Sequence, residues 1–330
     1  MPLIDLLFIT TPQCLLLDIA GPAEAFRLAN LHRELRGIPP RFCLRFAGLT
    51  ATAPTSVGLT IANLEPLPAQ LTAPTWVVIV GQPSAQLNQI TPEIIATAQW
   101  LNAALHQHLA NPDTPHRLLT ICSGTLLAAR ANVLGARRCT THHELLSALR
   151  ALAPQAQVVD NRVFVLDGPL ASSAGITAGI DLALHLIANE CGEALAASVA
   201  ADMVVYLRRS PHDPELSPLL VHRNHLHAAV HKVQDAICAE HTRDWDMATL
   251  ASISHVTERH LLRLFMEHTN VSPLHYLRAI RLERARLLLE RGASVAHTAE
   301  AVGFRSSLQL RRAWNSQWGG APRDVMRGGA

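Results

Sequence analysis

One cysteine stands where a strand-to-helix turn would expose a nucleophile. The segment TICSGTLLA places Cys122 between an apolar run and a helical pattern, and Gly124 permits a tight turn. The dipole and free amides of a helix N-terminus favour the thiolate form of such a cysteine. Further along, RRCTTHHELL supplies His142 and His143, either of which is a candidate base. The pattern is typical of covalent cysteine chemistry.

A second reading of the same residues stays open. Free cysteines are commonly buried as small apolar residues, and the two histidines would then cap a helix. If Cys122 is instead a nucleophile, Gly81, which ends the apolar run WVVIVG, is a candidate source of backbone N–H groups for an oxyanion.

A different chemistry belongs to the last fifth of the chain, where the sequence repeats once. Ala251 to Arg278 aligns with Ala299 to Arg327 after one extra residue at the turn, and Arg263 then matches Arg312. Each copy predicts a short helix, a turn and a second helix with a hydroxyl N-cap. The N-cap candidates are Thr257, Ser306 and Ser307. The repeat therefore predicts two helix-turn-helix motifs.

The second helix of each copy has one apolar face and one polar face. The outward residues are Arg259, His260 and Arg263 in the first copy, and Ser307, Gln309, Arg312 and, on the flank, Arg311 in the second. Arg and Gln side chains read guanine and adenine edges in the major groove. Trp318 is expected in the core, and Arg281, Arg284 and Arg286 on the solvated side of a connecting helix. That connecting helix would hold the two DNA-contacting helices roughly 34 Å apart. A helical bundle with a charged solvated face is the alternative.

The elements that would position Cys122 alternate between strand and helix. Strand patterns cover Ile4 to Ile9, Arg41 to Ala47, Trp76 to Gly81 and the run ending at Cys122, with a hairpin between Thr55 and Leu64 and a helix from Pro92 to His108. This alternation predicts an α/β, flavodoxin-like domain with a doubly wound parallel sheet and a site at the C-terminal ends of its strands.

Beyond this domain an apolar helix is expected from Ala194 to Leu207, either as core or as a dimer face. The two prolines that follow, Pro211 and Pro214, indicate a linker. Several histidines between Leu219 and His241 lack a carboxylate partner, so a solvated first helix is favoured over a metal site. No cofactor is expected.

Composition sets looser bounds. The 330 residues are 49% hydrophobic and 16% charged, which fits ordinary buried cores in two domains. From Asp246 onwards there are 12 arginines and seven acidic residues, so a basic end follows a mildly acidic body. That distribution suits nucleic acid at one end only. Six scattered cysteines and no leader or membrane-spanning pattern favour a reduced, cytoplasmic protein with no membrane partner.

The repeated stretch, closing on GGAPRDVMR, resembles the DNA-binding domain of the AraC/XylS family of transcription regulators. The resemblance covers about the last 85 residues. It implies base-contacting positions at Arg259 and Arg263 in the first copy and at Leu308 and Arg312 in the second. Leu308 departs from a polar reader, and contact with a thymine methyl would make readout there weaker and more apolar.

The segments LLLDIAGPAEAF, VVIVG, ICSGTLLAA, RRCTTHH and SSAGITAGIDLALHLI resemble the PfpI-like branch of the class I glutamine-amidotransferase superfamily. The resemblance implies a nucleophile position at Cys122, a histidine at His142 and acids at Asp18 and Glu24. Asp18 is shorter than the usual Glu, and His143 replaces a common aromatic residue. Resemblance to the subgroup that carries AraC-type DNA-binding domains therefore implies that the N-terminal domain senses a ligand and does not catalyse its conversion.

The sequence thus predicts an N-terminal sensor domain at 1–208, a linker at 209–220 and an all-α DNA-binding domain at 221–330. The expected partners are double-stranded promoter or operator DNA, a small nitrogen-containing effector and a second copy of the chain. The expected effector pocket contains Asp18, Glu24, Gly81, Cys122, His142 and, as a weaker candidate, Ser173. A cysteine hydrolase or amidase fused to a DNA-binding domain, or a mere dimerisation scaffold, are the alternatives.

Overall fold

A computed structural model describes residues 3–83, 87, 90–111, 113–175, 177–205, 209–211, 221–223, 225–290 and 292–323. The chain divides into two compact units, Met1–Glu215 and Leu216–Ala330. Most of the predicted linker, and the end of the GGAPRDVMR motif with Arg327, lie outside the described residues. Over the described parts of the chain, no helix is both long and apolar enough to cross a membrane.

The first unit is built on a seven-stranded sheet with the order β10-β11-β7-β6-β1-β2-β5. All neighbouring strands run parallel except β10 and β11. The strands of this sheet are β1 (Ile4–Ile9), β2 (Phe42–Gly48), β5 (Glu65–Pro66), β6 (Thr75–Ile79), β7 (Arg117–Ile121), β10 (Phe164–Asp167) and β11 (Leu170–Ser173). This confirms the flavodoxin-like parallel sheet, and the predicted central strand is present as Thr75–Ile79, two residues shorter at its end than the run Trp76 to Gly81.

Helices cover both faces of the sheet because the central strands are apolar on both sides. In β1, Leu6 and Phe8 join one buried cluster while Leu7 and Ile9 join the other. Helices α1 (Leu16–Glu34), α5 (Ala178–Cys191) and α6 (Glu193–Asp202) cover the first face. Helices α2 (Pro92–Ala110), α3 (Gly124–Arg130) and α4 (Leu146–Leu152) cover the second.

Short strands complete the unit. The predicted hairpin is present but shifted, as β3 (Thr52–Pro54) paired antiparallel with β4 (Thr60–Ala62). A second small pair joins β8 (Arg138–Cys139) to β9 (Gln157–Val158).

The apolar helix expected from Ala194 to Leu207 is shorter than predicted. It ends at Asp202, because Val204 takes a left-handed backbone conformation with φ of 54°. The side chain of Val204 is 85% exposed, whereas Leu195 and Val199 are buried in the sheet-facing cluster. Of the two roles left open for this helix, its apolar side serves as core.

The second unit is helical throughout its described part. It contains α7 (Ala228–Ala239), α8 (Met247–Ile253), α9 (Glu258–Thr269), α10 (Pro273–Glu290), α11 (Val295–Ala301) and α12 (Ser307–Trp318). The predicted double helix-turn-helix is therefore confirmed as α8–α9 and α11–α12. Helix α7, expected to be solvated, instead buries Val230, Val233 and Ile237 against the first motif.

The two motifs have separate cores that share one helix. The N-terminal half of α10 contributes Tyr276, Leu277 and Ile280 to the first core. Its C-terminal half contributes Leu282 and Leu289 to the second. One continuous helix thus belongs to both halves, as the rigid-connector prediction requires.

Three residues of this unit depart from the sequence predictions. Arg286 is buried, because Glu283 and Glu290 on the same helix supply carboxylates 2.6 Å from its guanidinium nitrogens. Trp318 is 42% exposed and packs edge-on against Trp314 at the helix end. Arg281 is half-buried rather than solvated, and it donates to the carbonyl oxygens of His241 and Arg243 at 2.7 Å.

Candidate functional site

Cys122 lies at the strand-to-helix turn that the sequence predicted. Its φ of 54° lies in the left-handed region, which is a strained conformation for a residue with a side chain. Its backbone N–H donates to the carbonyl of Ser173 at 3.0 Å, and its carbonyl accepts from the Thr141 hydroxyl at 2.8 Å. These two contacts fix the turn between β7, β11 and the histidine segment.

Gly124 is required at this turn for steric reasons. A Cβ atom there would lie 2.5 Å from the carbonyl oxygen of Ile79, which is backbone and cannot move aside. Ser123, between Cys122 and Gly124, donates to the carbonyl of Gln82 at 2.8 Å and accepts from its N–H at 2.7 Å. The turn is therefore bound to the end of β6 as well as to β11.

Asp18 lies beside this turn, in the first helical turn of α1. It is fully buried, and its Oδ2 accepts from the Gly81 N–H at 2.9 Å. Burial raises the pKa of Asp18 to about 7, and the hydrogen bond from Gly81 offsets only part of that rise. A carboxyl group that changes its charge near neutral pH is thus held beside Ser123, the residue that follows Cys122.

Gly81 does not offer the amide that the oxyanion interpretation needs. Its N–H is taken by Asp18, and the next N–H, of Gln82, is taken by Ser123. A Cβ atom on Gly81 would lie 2.8 Å from both Asp18 Oδ2 and Ser123 Oγ. Gly81 therefore serves as a close-approach position for the acid.

Glu24 is not part of this site. It lies on the exposed side of α1, where Arg27 donates to its carboxylate at 2.8 Å. That contact lowers the pKa of Glu24. Since Asp18 and Glu24 are six residues apart on one helix, they point to different sides of it.

His142 comes near the turn through its neighbour Thr141, which bonds the Cys122 carbonyl. Its ring packs against that of His143 with 4.2 Å between centroids, and its Nδ1 lies 3.8 Å from the Glu144 carboxylate. His143 begins a single 3₁₀ turn, His143–Leu145, ahead of α4.

Several polar atoms around the turn are buried without a hydrogen-bond partner among the described residues. They are Thr11 Oγ1, Asp18 Oδ1, Thr140 Oγ1 and Ser173 Oγ. Buried polar groups normally have partners, so four orphans at one sheet edge indicate a place for a polar ligand or water. Thr11, Thr140 and nearby Cys14, whose thiol pKa burial raises to about 11, were missed by the sequence reading.

The second candidate site is the exposed face of α9 and α12. Thr257 caps α9 by accepting from the His260 N–H, and Ser306 caps α12 by accepting from the Gln309 N–H. Behind these caps the predicted readers Arg259, His260, Arg263, Leu308, Arg311 and Arg312 are all exposed, and Ser307 is half-buried. Of the two N-cap candidates in the second copy, Ser306 is therefore the one that caps the helix.

Three of the predicted readers, Arg263, His260 and Gln309, have partners close by in the chain. Arg263 donates to Glu267 at 3.1 Å and contacts His260 Nδ1 at 3.4 Å. The Gln309 side chain accepts from the Arg305 N–H at 2.8 Å, so its oxygen serves the helix start in this structure.

The turn of the second motif is seated against the first half of the unit. Gly303 has a φ of 87°, and a Cβ there would lie 2.7 Å from Thr242 Cα. The guanidinium of Arg305 is paired with Asp244 in the same loop. The two motifs are thus joined by side contacts in addition to α10.

Comparison with known proteins matches both units. Residues 250–328 match the helix-turn-helix domain family, and residues 97–189 match the DJ-1/PfpI family. The transcriptional regulator GbdR of Pseudomonas aeruginosa is 32% identical over 217 residues, covering 64% of this chain and 58% of its own length. The transcriptional regulator CdhR of the same species is 30% identical over 237 residues, covering 72% and 67%.

An enzyme is also among the relatives. The isonitrile hydratase of Pseudomonas putida is 41% identical over 70 residues, which are 20% of this chain and 28% of the enzyme. The chain spans less than two thirds of the length of GbdR. With a repeated helix-turn-helix unit, a DJ-1/PfpI unit and regulators similar to both, this chain belongs to the AraC-type family of helix-turn-helix transcriptional regulators with an N-terminal DJ-1/PfpI domain.

Proposed function

We propose that this chain is a sequence-specific transcription regulator that binds double-stranded promoter or operator DNA through its C-terminal unit. The observation that carries the proposal is the pair of equivalent arginines, Arg263 and Arg312, exposed on two capped helices that one shared helix connects. Two forked donors at matched positions suit two successive major-groove contacts.

The DNA-binding claim is tested by selecting preferred duplexes from a random pool with the wild-type chain. Arg263→Ala and Arg312→Ala should each weaken binding by about 1–3 kcal/mol and relax one base position. Leu308→Ala should change the preference for thymine at its position. Exposed Arg284→Ala on α10 is the matched control for loss of charge. Unchanged affinity and preference in both arginine variants would refute the proposal.

The N-terminal unit, on this proposal, senses a small nitrogen-containing metabolite. Support comes from the cluster of Asp18, Cys122 and Ser173 with its unpartnered polar atoms, beside which no cationic side chain bonds Asp18 in the described residues. An amine or amide N–H suits both the free carboxyl oxygen and the serine hydroxyl. The effector must bind one arrangement of the protein better than another, since equal affinity shifts no equilibrium.

A thermal-shift screen of amino-acid and amine metabolites tests this sensing role. A ligand at about 100 times its dissociation constant stabilises the folded state by about 2.7 kcal/mol. Wild type and Cys122→Ser should respond alike if the unit binds without turnover, and Asp18→Asn should lose the response. Lack of any response across the panel would favour a dimerisation scaffold, while a compound consumed by wild type alone would favour an enzyme.

The enzyme alternative has one specific observation in its favour. Cys122 has the left-handed φ and the glycine-dependent turn of a nucleophile elbow, and a cysteine in that position suits hydrolase or amidase chemistry. Against it, the amides of Gly81 and Gln82 are already bonded to side chains. Turnover abolished by Cys122→Ser would support the alternative.

As part of the regulator proposal, we place the protein in the cytoplasm as a homodimer.

A further inference from the structure

An ion pair with a buried carboxylate holds the chain near the end of the N-terminal unit. Arg209 follows α6, and its guanidinium donates to Asp181 Oδ2 through Nε at 2.9 Å and Nη2 at 2.6 Å. Its backbone N–H donates to Asp181 Oδ1 at 2.9 Å, and Nη2 also donates to the Thr177 hydroxyl at 2.9 Å. The Asp181 side chain is only 4% exposed. We call these three residues the clasp.

The clasp sits on the first turn of α5, and that turn packs directly on the elements of the candidate effector site. A Cβ atom on Gly179 would lie 2.9 Å from Ile121, the residue before Cys122, and 3.3 Å from Pro22 of α1. A Cβ atom on Gly21 would lie 2.7 Å from Ile180. At Gly179 and Gly21 the backbone of one helix therefore lies directly against side chains of the neighbouring element, and the glycines leave no room for a side chain of their own.

The same turn is also connected to the site along the chain. Ser173, whose carbonyl accepts from the Cys122 N–H, ends β11 only a few residues before Thr177. A ligand that displaces Cys122, Ser173 or the start of α1 must move this turn or break its packing, since close-packed interiors shift as units.

We infer that the clasp of Arg209 with Asp181 and Thr177 transmits occupancy of the Cys122 site to the segment that joins the two units. With the clasp closed, the backbone at Arg209 is held at a fixed point on α5. When the first turn of α5 moves, Arg209 moves with it or is released. This inference rests on the proposed sensing role, but its test needs neither the effector nor the operator.

The first measurement is cleavage by a glutamate-specific protease after Glu215, at the boundary between the units. Asp181→Asn and Arg209→Gln in the full-length chain should each speed that cleavage about tenfold, because local opening controls proteolysis. Arg209→Lys, which keeps the charge but loses the forked geometry, should lie between them and wild type. The double variant should cleave no faster than the faster single one, since both remove one interaction.

The second measurement asks whether the effector site feels the clasp, because coupling is reciprocal. The rate at which iodoacetamide alkylates Cys122, followed by peptide mass spectrometry, should change about fivefold or more in both clasp variants. The matched control is Glu190→Gln, which breaks the Arg41–Glu190 pair at the other end of α5. It should leave both rates at their wild-type values.

Each outcome decides the inference. Faster cleavage together with altered Cys122 alkylation supports it. Faster cleavage with unchanged Cys122 alkylation would mean that the clasp only holds the chain in place. That result would overturn the coupling between the clasp and the Cys122 site. Rates equal to wild type, or equal effects from Glu190→Gln, would overturn it entirely. Failure of the regulator proposal would appear separately, as loss of sequence preference in the duplex selection.

Discussion

Asp18 should make the stability of the N-terminal unit depend on pH in an unusual direction. Its pKa is raised by burial from 3.8 to about 7, so the folded state holds a proton that the unfolded chain has released over that interval. The stabilising contribution is complete below pH 3.8 and is lost as pH rises through 7. At about 1.36 kcal/mol per pH unit, the loss between pH 5 and pH 8 is about 3 kcal/mol.

Asp18→Asn should remove this dependence. The asparagine oxygen can accept from the Gly81 N–H, and its amide stands where protonated Asp18 carries its own hydroxyl, so the two chains should match in acid. At pH 8 the free energy of unfolding of Asp18→Asn should exceed that of the wild type by about 3 kcal/mol. For a unit of this size, that difference raises the melting temperature by about 6–12 °C.

Calorimetry from pH 5 to pH 8 is the assay, because the two units can melt in separate transitions. Only the transition of the N-terminal unit should move. Glu24→Gln, on the exposed side of the same helix, is the control and should follow the wild-type profile. Parallel profiles for wild type and Asp18→Asn would refute the reasoning, since they would mean that Asp18 is not protonated in the folded state.

Two further predictions concern the C-terminal unit. Gly303→Ala should destabilise it by about 2–4 kcal/mol, because a left-handed φ is combined with a clash against Thr242 Cα. Gly292→Ala, at a similar φ of 86° but with nothing within 4 Å, should cost only about 1 kcal/mol, and equal costs in urea unfolding would contradict the clash. Ser306→Ala should cost about 1 kcal/mol through loss of the α12 cap and weaken duplex binding accordingly, whereas Ser307→Ala should be nearly neutral; the reverse order would contradict the cap assignment.

The sequence predicted most of the architecture because the relevant signals are local and periodic. The apolar runs of β1, β6 and β7, and the duplicated helical pattern around Arg263 and Arg312, each depend on residues close in the chain. The turn at Cys122 was predictable for the same reason.

What the sequence could not provide were the contacts between distant residues and the orientation of individual side chains. The spacing of Asp18 and Glu24 places them on different sides of a helix, but it does not say which of the two sides is buried. Arg286 looked solvated by composition, but two glutamates one turn away neutralise it in the interior. The partner of Arg209 is 28 residues distant, and the partners of Gly303 and Arg305 lie in a loop before α8.

The sharing of α10 between the two cores fixes a phase as well as a length. Each residue inserted near Arg281 would turn the second motif by about 100° about the helix axis and advance it by about 1.5 Å. Only insertions near whole turns, such as seven residues with a residual rotation of about 20°, would return the Arg312 face to its original azimuth. That insertion advances the motif by about 10.5 Å, or about three base-pair steps. A change in the length of this connector would therefore keep the Arg312 face in its present orientation only if it added or removed close to a whole number of helical turns.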